Sequence, residues 1–232
     1  MNRTVVGWIA AVIVVALAGT MVVGRYSENS AAWLDNALTR METTTTRLEM
    51  NAVAEMRGSA ALGGGFAQTT RATGELVPPD RLHLLLDGNG LLELVMIGHR
   101  LWVDDGNGLR LASGIRLGPL AEAQAPFAFI RGPGSAQFAG VGVSRGMPTY
   151  RIRLELNAFE LQARMPSDEI DPDTVGVLEI EVGLFDGLIR RQSVEVVEPL
   201  DPFSGTSLTT VRTAYTIEYW DHGRPLEVPE PD

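Results

Sequence analysis

"RLHLLLDGNGLLELVMIGHRLWVDDGNGLRLAS", residues 81–113, is the stretch whose reading decides the fold. Leu82, Leu84 and Leu86, then Leu92, Leu94 and Met96, recur at every second position. That is the period of a strand with one dry face. Asp-Gly-Asn-Gly cuts the stretch at 87–90 and again at 105–108, and Gly98-His99 cuts it between them. Asp-Gly and Asn-Gly supply the positive φ angles that tight hairpins need. The stretch therefore predicts an antiparallel meander, not strands joined by crossover helices.

The same period continues on both sides. In "RLEMNAVAEM" (47–56), Leu48, Met50, Ala52, Ala54 and Met56 share one face, opposite Arg47, Glu49, Asn51 and Glu55, with Val53 the exception. The loop "GGG" (63–65) leads to "FAQTTRATGELV" (66–77), and "PPD" (78–80) turns the chain into the opening stretch. Downstream, Tyr150, Ile152, Leu154 and Leu156 alternate with Arg151, Arg153 and Glu155. Residues 177–199 read as a hairpin about Asp186-Gly187, and residues 207–231 as a last strand with a proline-punctuated tail. Two segments depart from period two. Ser30 is a helix N-cap candidate, and Trp33, Leu34, Ala37, Leu38 and Met41 repeat at helical spacing over 31–42 until the β-branched run at 43–46. "GPLAEAQAPFAFIRGPG" (118–134) is a short helix or loop. The fold class is thus mainly β with a few helices: about ten antiparallel strands in a sheet wetted on one side. Such a sheet must curl over a helix, a second sheet or a ligand.

The N-terminus has a different character. No charged residue occurs from Thr4 to Gly24, and Arg3 and Arg25 bracket the run. About 20 apolar residues suffice to cross a bilayer core. The expected organisation is a short tail at 1–3, a transmembrane anchor or signal segment at 4–24, a linker at 25–30 and one domain at 31–232. "LAGT" (17–20) places Thr20 where a lipoprotein carries its lipid-bearing cysteine, and Ala16-Leu17-Ala18 fits a signal-peptidase site. Because the hydrophobic run continues past that site, an uncleaved single-pass anchor is expected, with the body outside the cytoplasm.

Composition and motifs narrow the chemistry. The net charge of −10 argues against a nucleic-acid partner, and the absence of cysteine excludes thiol catalysis and disulfides. "GVSRG" (142–146) matches the G-x-S-x-G nucleophile elbow, with His222 downstream, but Pro148 and a strand follow it instead of a helix. It reads as a hairpin turn. His83, His99 and His222 lack metal-site spacing, and Asp168, Glu169, Asp171 and Asp173 lack the ligand alternation of a calcium loop. No catalytic residue, cofactor or metal is assigned, and the chain is not expected to be an enzyme. The apolar strand face remains: Leu48, Met50, Met56, Leu82, Leu84, Leu86, Leu92, Leu94, Met96, Ile152, Leu154 and Leu156. Periodicity alone makes these core residues, although so few helices leave much of the face to cover.

Several segments together resemble the LolA/LppX-like family of bacterial lipoprotein and lipid carriers. They are Gly74 with Pro79-Asp80-Arg81, then Met96-Ile97-Gly98 with Trp102 and Val103, and the closing Tyr219, Asp221, Pro225 and Pro229. The resemblance spans roughly residues 31–230 and implies an unclosed β half-barrel capped by short helices over an apolar cavity. The helix at 31–42 and the segment at 119–131 would form the cap. Phe127, Phe129 and Ile130 are then candidates for a lid, and the twelve apolar residues above for the cavity wall. The expected partners are a lipid or acyl-chain ligand, the membrane through residues 4–24, and an acceptor protein at the membrane surface. Two other readings stay open: an extracytoplasmic sensor or interaction module of an envelope regulator, and a domain whose interior its own side chains fill.

Overall fold

The computed structural model describes residues 29–57, 66–87, 91–104, 106–112, 127, 129–132, 134–164, 170–200 and 209–230. The apolar segment 4–24, the loop at 63–65 and most of 118–134 lie outside the described residues. Among those described, no helix is long and apolar enough to cross a membrane.

A helix, α1 (Ser30–Met41), precedes six strands: β1 (Thr46–Arg57), β2 (Phe66–Val77), β3 (Arg81–Asp87), β4 (Leu91–Ile97), β5 (Arg100–Asp104) and β6 (Arg110–Leu111). Then come β7 (Gln137–Ser144), β8 (Met147–Leu156), a second helix α2 (Ala158–Arg164), β9 (Val175–Gly183), β10 (Ile189–Leu200) and β11 (Thr209–Trp220). All eleven strands lie in one sheet, in the order β6-β5-β4-β3-β2-β1-β11-β10-β9-β8-β7. The paired neighbours are antiparallel throughout. The hairpins at 87–91 and 97–100 form as the Gly-rich punctuation predicts, and Gly98 takes the positive φ of 61° its turn requires.

The topology is two meanders fused at their outer ends. β1 pairs with β11 through Leu48↔Tyr219, Met50↔Ile217 and Ala52↔Tyr215. The sheet edges are therefore β6 and β7, which adjoin in sequence yet stand at opposite ends of the strand order. Between them in sequence, Phe127, Phe129 and Ile130 are buried in the same cluster as Leu48, Ile152, Ile180 and Ile217, which places these three residues on the inner face.

Helix α1 lies on that face too, packing against β7 and β10. It buries Leu34, Ala37, Leu38 and Met41, and the Trp33 ring meets Tyr150 edge-on at 6.0 Å. The helix starts one residue earlier than the sequence suggested. Asn29 occupies the N-cap position without a side-chain cap bond, and Ser30 is a buried first-turn residue. At the other end, the hydroxyls of Thr43 and Thr44 donate to the Arg40 carbonyl oxygen. Those bonds satisfy a helix-end acceptor where the β-branched run ends the helix.

Helix α2 has no counterpart in the sequence reading. The Asn157 side chain accepts from the Glu160 N–H at 3.0 Å, and the Glu160 carboxylate accepts from the Asn157 N–H at 2.9 Å. That reciprocal pair is a capping box. It directs Leu161, fully buried, onto β9 at Gly176, where an added Cβ would stand 3.1 Å from the leucine.

The outer face is ionic. Arg153 bonds Glu179 at 2.9 Å, Arg212 bonds Glu195 at 2.8 Å, and Arg47 reaches both Glu75 and Asp221. Arg145 holds a positive φ of 46° in the β7–β8 turn, yet its guanidinium stacks 4.0 Å over the Trp220 ring and bonds Glu218 at 3.1 Å. Beyond β11 the tail doubles back. Gly223 N–H donates to the Thr45 carbonyl, Val228 is buried, and Glu230 pairs with Arg81 at 3.1 Å. The proline-punctuated end is thus a strap tied from the start of β1 to the start of β3.

Candidate functional site

The strand register sorts the predicted apolar residues. Leu48 lies in one cross-strand row with Gly74, Leu84 and Leu94, and Met50 in the next with Ala72, Leu86 and Leu92. Leu82 stands opposite Met96. Across the β1–β11 seam, Ile152 pairs with Ile180, and Leu154 with Leu178. Leu48, Met50, Leu82, Leu84, Leu94, Met96, Ile152, Leu154 and Leu156 are buried in one contiguous cluster, and Leu86 and Leu92 pack partly buried against it. Met56 shares the inner face by register but is 43% exposed.

Burial along this face has a direction. Near the β2–β3 turn the rows are closed: Leu76, Leu82 and Met96 are at most 3% exposed. Toward the other ends of β1, β2 and β11, Ala52, Ala54 and Thr70 are half-buried, and Phe66, paired with Met56, is 58% exposed. Among the described residues, burial on the inner face therefore falls from the β2–β3 turn toward the far ends of β1 and β2.

Over the sealed part lie the candidate lid residues. Phe127 packs against Tyr219 with ring centroids 5.7 Å apart, and Phe129 meets Tyr215 edge-on at 6.0 Å. Arg164 of α2 donates from Nε to the Phe129 carbonyl at 3.0 Å and from Nη1 to the Glu160 carbonyl at 2.9 Å. Burial lowers the guanidinium's pKa, and the Glu160 charge opposes that shift. On the α1 side, Arg131 pairs with Glu42 at 2.7 Å. The cap is thereby fastened to both helices and to the aromatic floor.

That floor contains polar side chains the sequence reading passed over. Gln192 is fully buried; its Oε1 accepts from the Tyr219 hydroxyl at 3.2 Å, and its Nε2 donates to the Tyr215 oxygen at 3.5 Å. Burial raises the pKa of both tyrosines, so their hydroxyls stay protonated. The available signal was the alternation Tyr215, Ile217, Tyr219 against Thr216, Glu218 and Trp220 in the last strand. Gln192, flanked by Arg191 and Ser193, carried no such mark.

The residues weighed for other chemistry are dispersed. Ser144 and Gly146 stand in the β7–β8 strand-turn-strand, the frame that Pro148 implied. His83 bonds Glu93 at 2.9 Å on the outer face, and His222 follows β11. Asp171 accepts from the Asp173 N–H within a turn, and Asp168 and Glu169 lie outside the described residues. Among the described residues, no three His, Cys, Asp or Glu side chains are grouped to hold a metal.

No family model matches the sequence, and no curated protein does. Solved structures do resemble the fold. The lipoprotein LppX of Mycobacterium tuberculosis aligns over 85% of this chain and 97% of its own, with TM-score 0.50 and 12% identity. LprF of Mycobacterium bovis aligns over 86% and 95%, with TM-score 0.44 and 10% identity. A LolA superfamily protein of Nitrosomonas europaea aligns over 84% and 94%, with TM-score 0.36 and 14% identity. With one unclosed antiparallel sheet, an apolar inner face and helices laid across it, this chain has the LolA/LppX-like fold.

Proposed function

We propose that this protein is an extracytoplasmic lipid binder, held to its membrane by residues 4–24, that shelters acyl chains in a trough along the inner face of the sheet and passes them to an acceptor at the membrane surface. The observation that carries the reading is the gradient of burial along that face. Leucines and methionines are sealed at one end, while Met56 and Phe66 remain exposed at the other. The trough wall is built from Leu48, Met50, Leu84, Leu94 and their predicted companions, with Phe127, Phe129 and Ile130 as the part that moves. The LppX-like fold supports the reading at the level of architecture.

Partition, not bond-making, drives such a cycle. Each methylene transferred out of water contributes about 0.8 kcal/mol. A dozen methylenes give roughly 10 kcal/mol before the costs of association and ordering. An anchored carrier loads from its own membrane and needs a partner for any longer journey.

The test is lipid analysis of the full-length protein purified from a lipid-containing host, with uptake of a fluorescent fatty acid measured in parallel. Co-purified lipid approaching one molecule per chain is expected, displaced by the fluorescent acid. Repeated purification without lipid, and no uptake, overturns the proposal.

A further inference from the structure

We infer that the Tyr215 hydroxyl, set in place by Gln192, is the hydrogen-bond donor that recognises the carbonyl oxygen of an ester-linked acyl chain in the trough. The inference rests on the lipid-binding reading and adds the ligand group that would be read. An amide in an apolar floor is costly unless its polar atoms are matched. A well-packed apolar side chain at 192 would avoid that cost. Instead, Gln192 is fully buried between two tyrosines on β11, and the three groups donate in one direction. Tyr219 O–H donates to the Gln192 Oε1, and the Gln192 Nε2 donates to the Tyr215 oxygen. The Tyr215 oxygen thus serves as acceptor, and its own proton is left to give. Among the described residues, no hydrogen bond donated by the Tyr215 hydroxyl is formed.

Position makes this donor useful. Tyr219, then the Ile217–Gln192 row, then Tyr215 stand successively nearer the open end of the trough. Tyr215 pairs with Ala52 and Val194, in the row where burial begins to fall away. The Phe129 ring edge, at 6.0 Å, holds the phenol from the cap side. Hydrocarbon lying in the sealed rows would bring its carbonyl to this level. An ordinary phenol is already protonated at neutral pH, and burial shifts this one further the same way, so the donor persists.

The experiment is a competition read by native mass spectrometry. The full-length protein is incubated with equimolar diester and diether phosphatidylglycerol of identical chain length, which differ only in the two carbonyls. Wild type is expected to retain the diester about threefold to tenfold more, the span of one neutral hydrogen bond. Tyr215→Phe keeps the ring and is expected to bring the ratio to about one while still binding both lipids; Gln192→Met should lower it as well. Lipid associated with residues 4–24 is common to every variant and cancels. A Tyr215→Phe ratio equal to wild type overturns the inference and leaves lipid binding intact. Equal loss of both lipids in Tyr215→Phe also overturns it, since that marks a packing role. If wild type binds neither lipid, the proposed function falls and this inference with it.

Discussion

At Gly74 the β2 backbone runs so near β3 that an added Cβ would fall on the His83 carbonyl oxygen and within 2.7 Å of Leu84 Cδ2. The obstacle is another backbone, which does not yield as a flexible side chain would. Gly74→Ala is expected to cost about 3 kcal/mol or more, read as a lower urea midpoint with an unchanged slope. His222 makes a second prediction. Burial, then the Arg190 charge, hold its pKa near 4, with Asp186 and Asp221 opposing. A depressed histidine contributes stability that is complete above the unfolded value of about 6.5. Between that pH and 4, the unfolded chain takes up a proton that the native imidazole refuses, so stability falls as pH drops. Urea midpoints are expected to decline from pH 7.5 to 4.5 in wild type and to decline less in His222→Gln. Neither effect was legible in the sequence. Gly74 stood out only through a resemblance, and His222 looked like a turn residue, because strand neighbours and buried charges come from distant segments.

For the elements, legibility followed the length of the pattern. β1, β3, β4 and β8 declared themselves because each repeats an apolar position three or more times between turn residues. Helix α2 did not, since its seven residues give only two turns of period, and its one cue was the Asn157–Glu160 pair. Asn157→Ala removes one arm of the capping box. It is expected to cost about 1 kcal/mol and to speed amide exchange in 158–164 more than in β8 or β9. Register also depended on an element-scale detail. An irregularity between Phe138 and Gly140 places Phe138 opposite Ile152 but Val141 opposite Tyr150, so both even and odd positions of β7 reach the inner side. No spacing in "QFAGVGVS" announces that bulge.

At the scale of the molecule, energy is divided between the two sides of the sheet. Leu154 is buried on the inner face, while its neighbour Arg153 is 41% exposed on the outer face in its pairs with Glu179 and Glu155. Leu154→Ala is expected to cost about 2–5 kcal/mol. Arg153→Ala should change stability by about 1 kcal/mol or less, because exposed pairs are screened. Denaturation of the two variants beside wild type checks the contrast, and 1 M salt should narrow the difference between Arg153→Ala and wild type. The single sheet also decides between two outcomes that strand count left equal. Two packed sheets would have filled each other's inner faces. One sheet hands that task to α1, α2 and the residues Phe127, Phe129 and Ile130, while Met56 and Phe66 stay exposed.

What the sequence determined by itself is local: which segments are strands, where hairpins turn, which face of each strand is dry, and that one early helix is amphipathic. Those properties depend on residues within a few positions of each other, so period and turn chemistry express them directly. Only the tertiary structure decided that β1 pairs with β11, that Phe127, Phe129 and Ile130 lie on the inner face, and that Gln192 meets Tyr215 and Tyr219. These are contacts between residues far apart in sequence, and no local pattern encodes them.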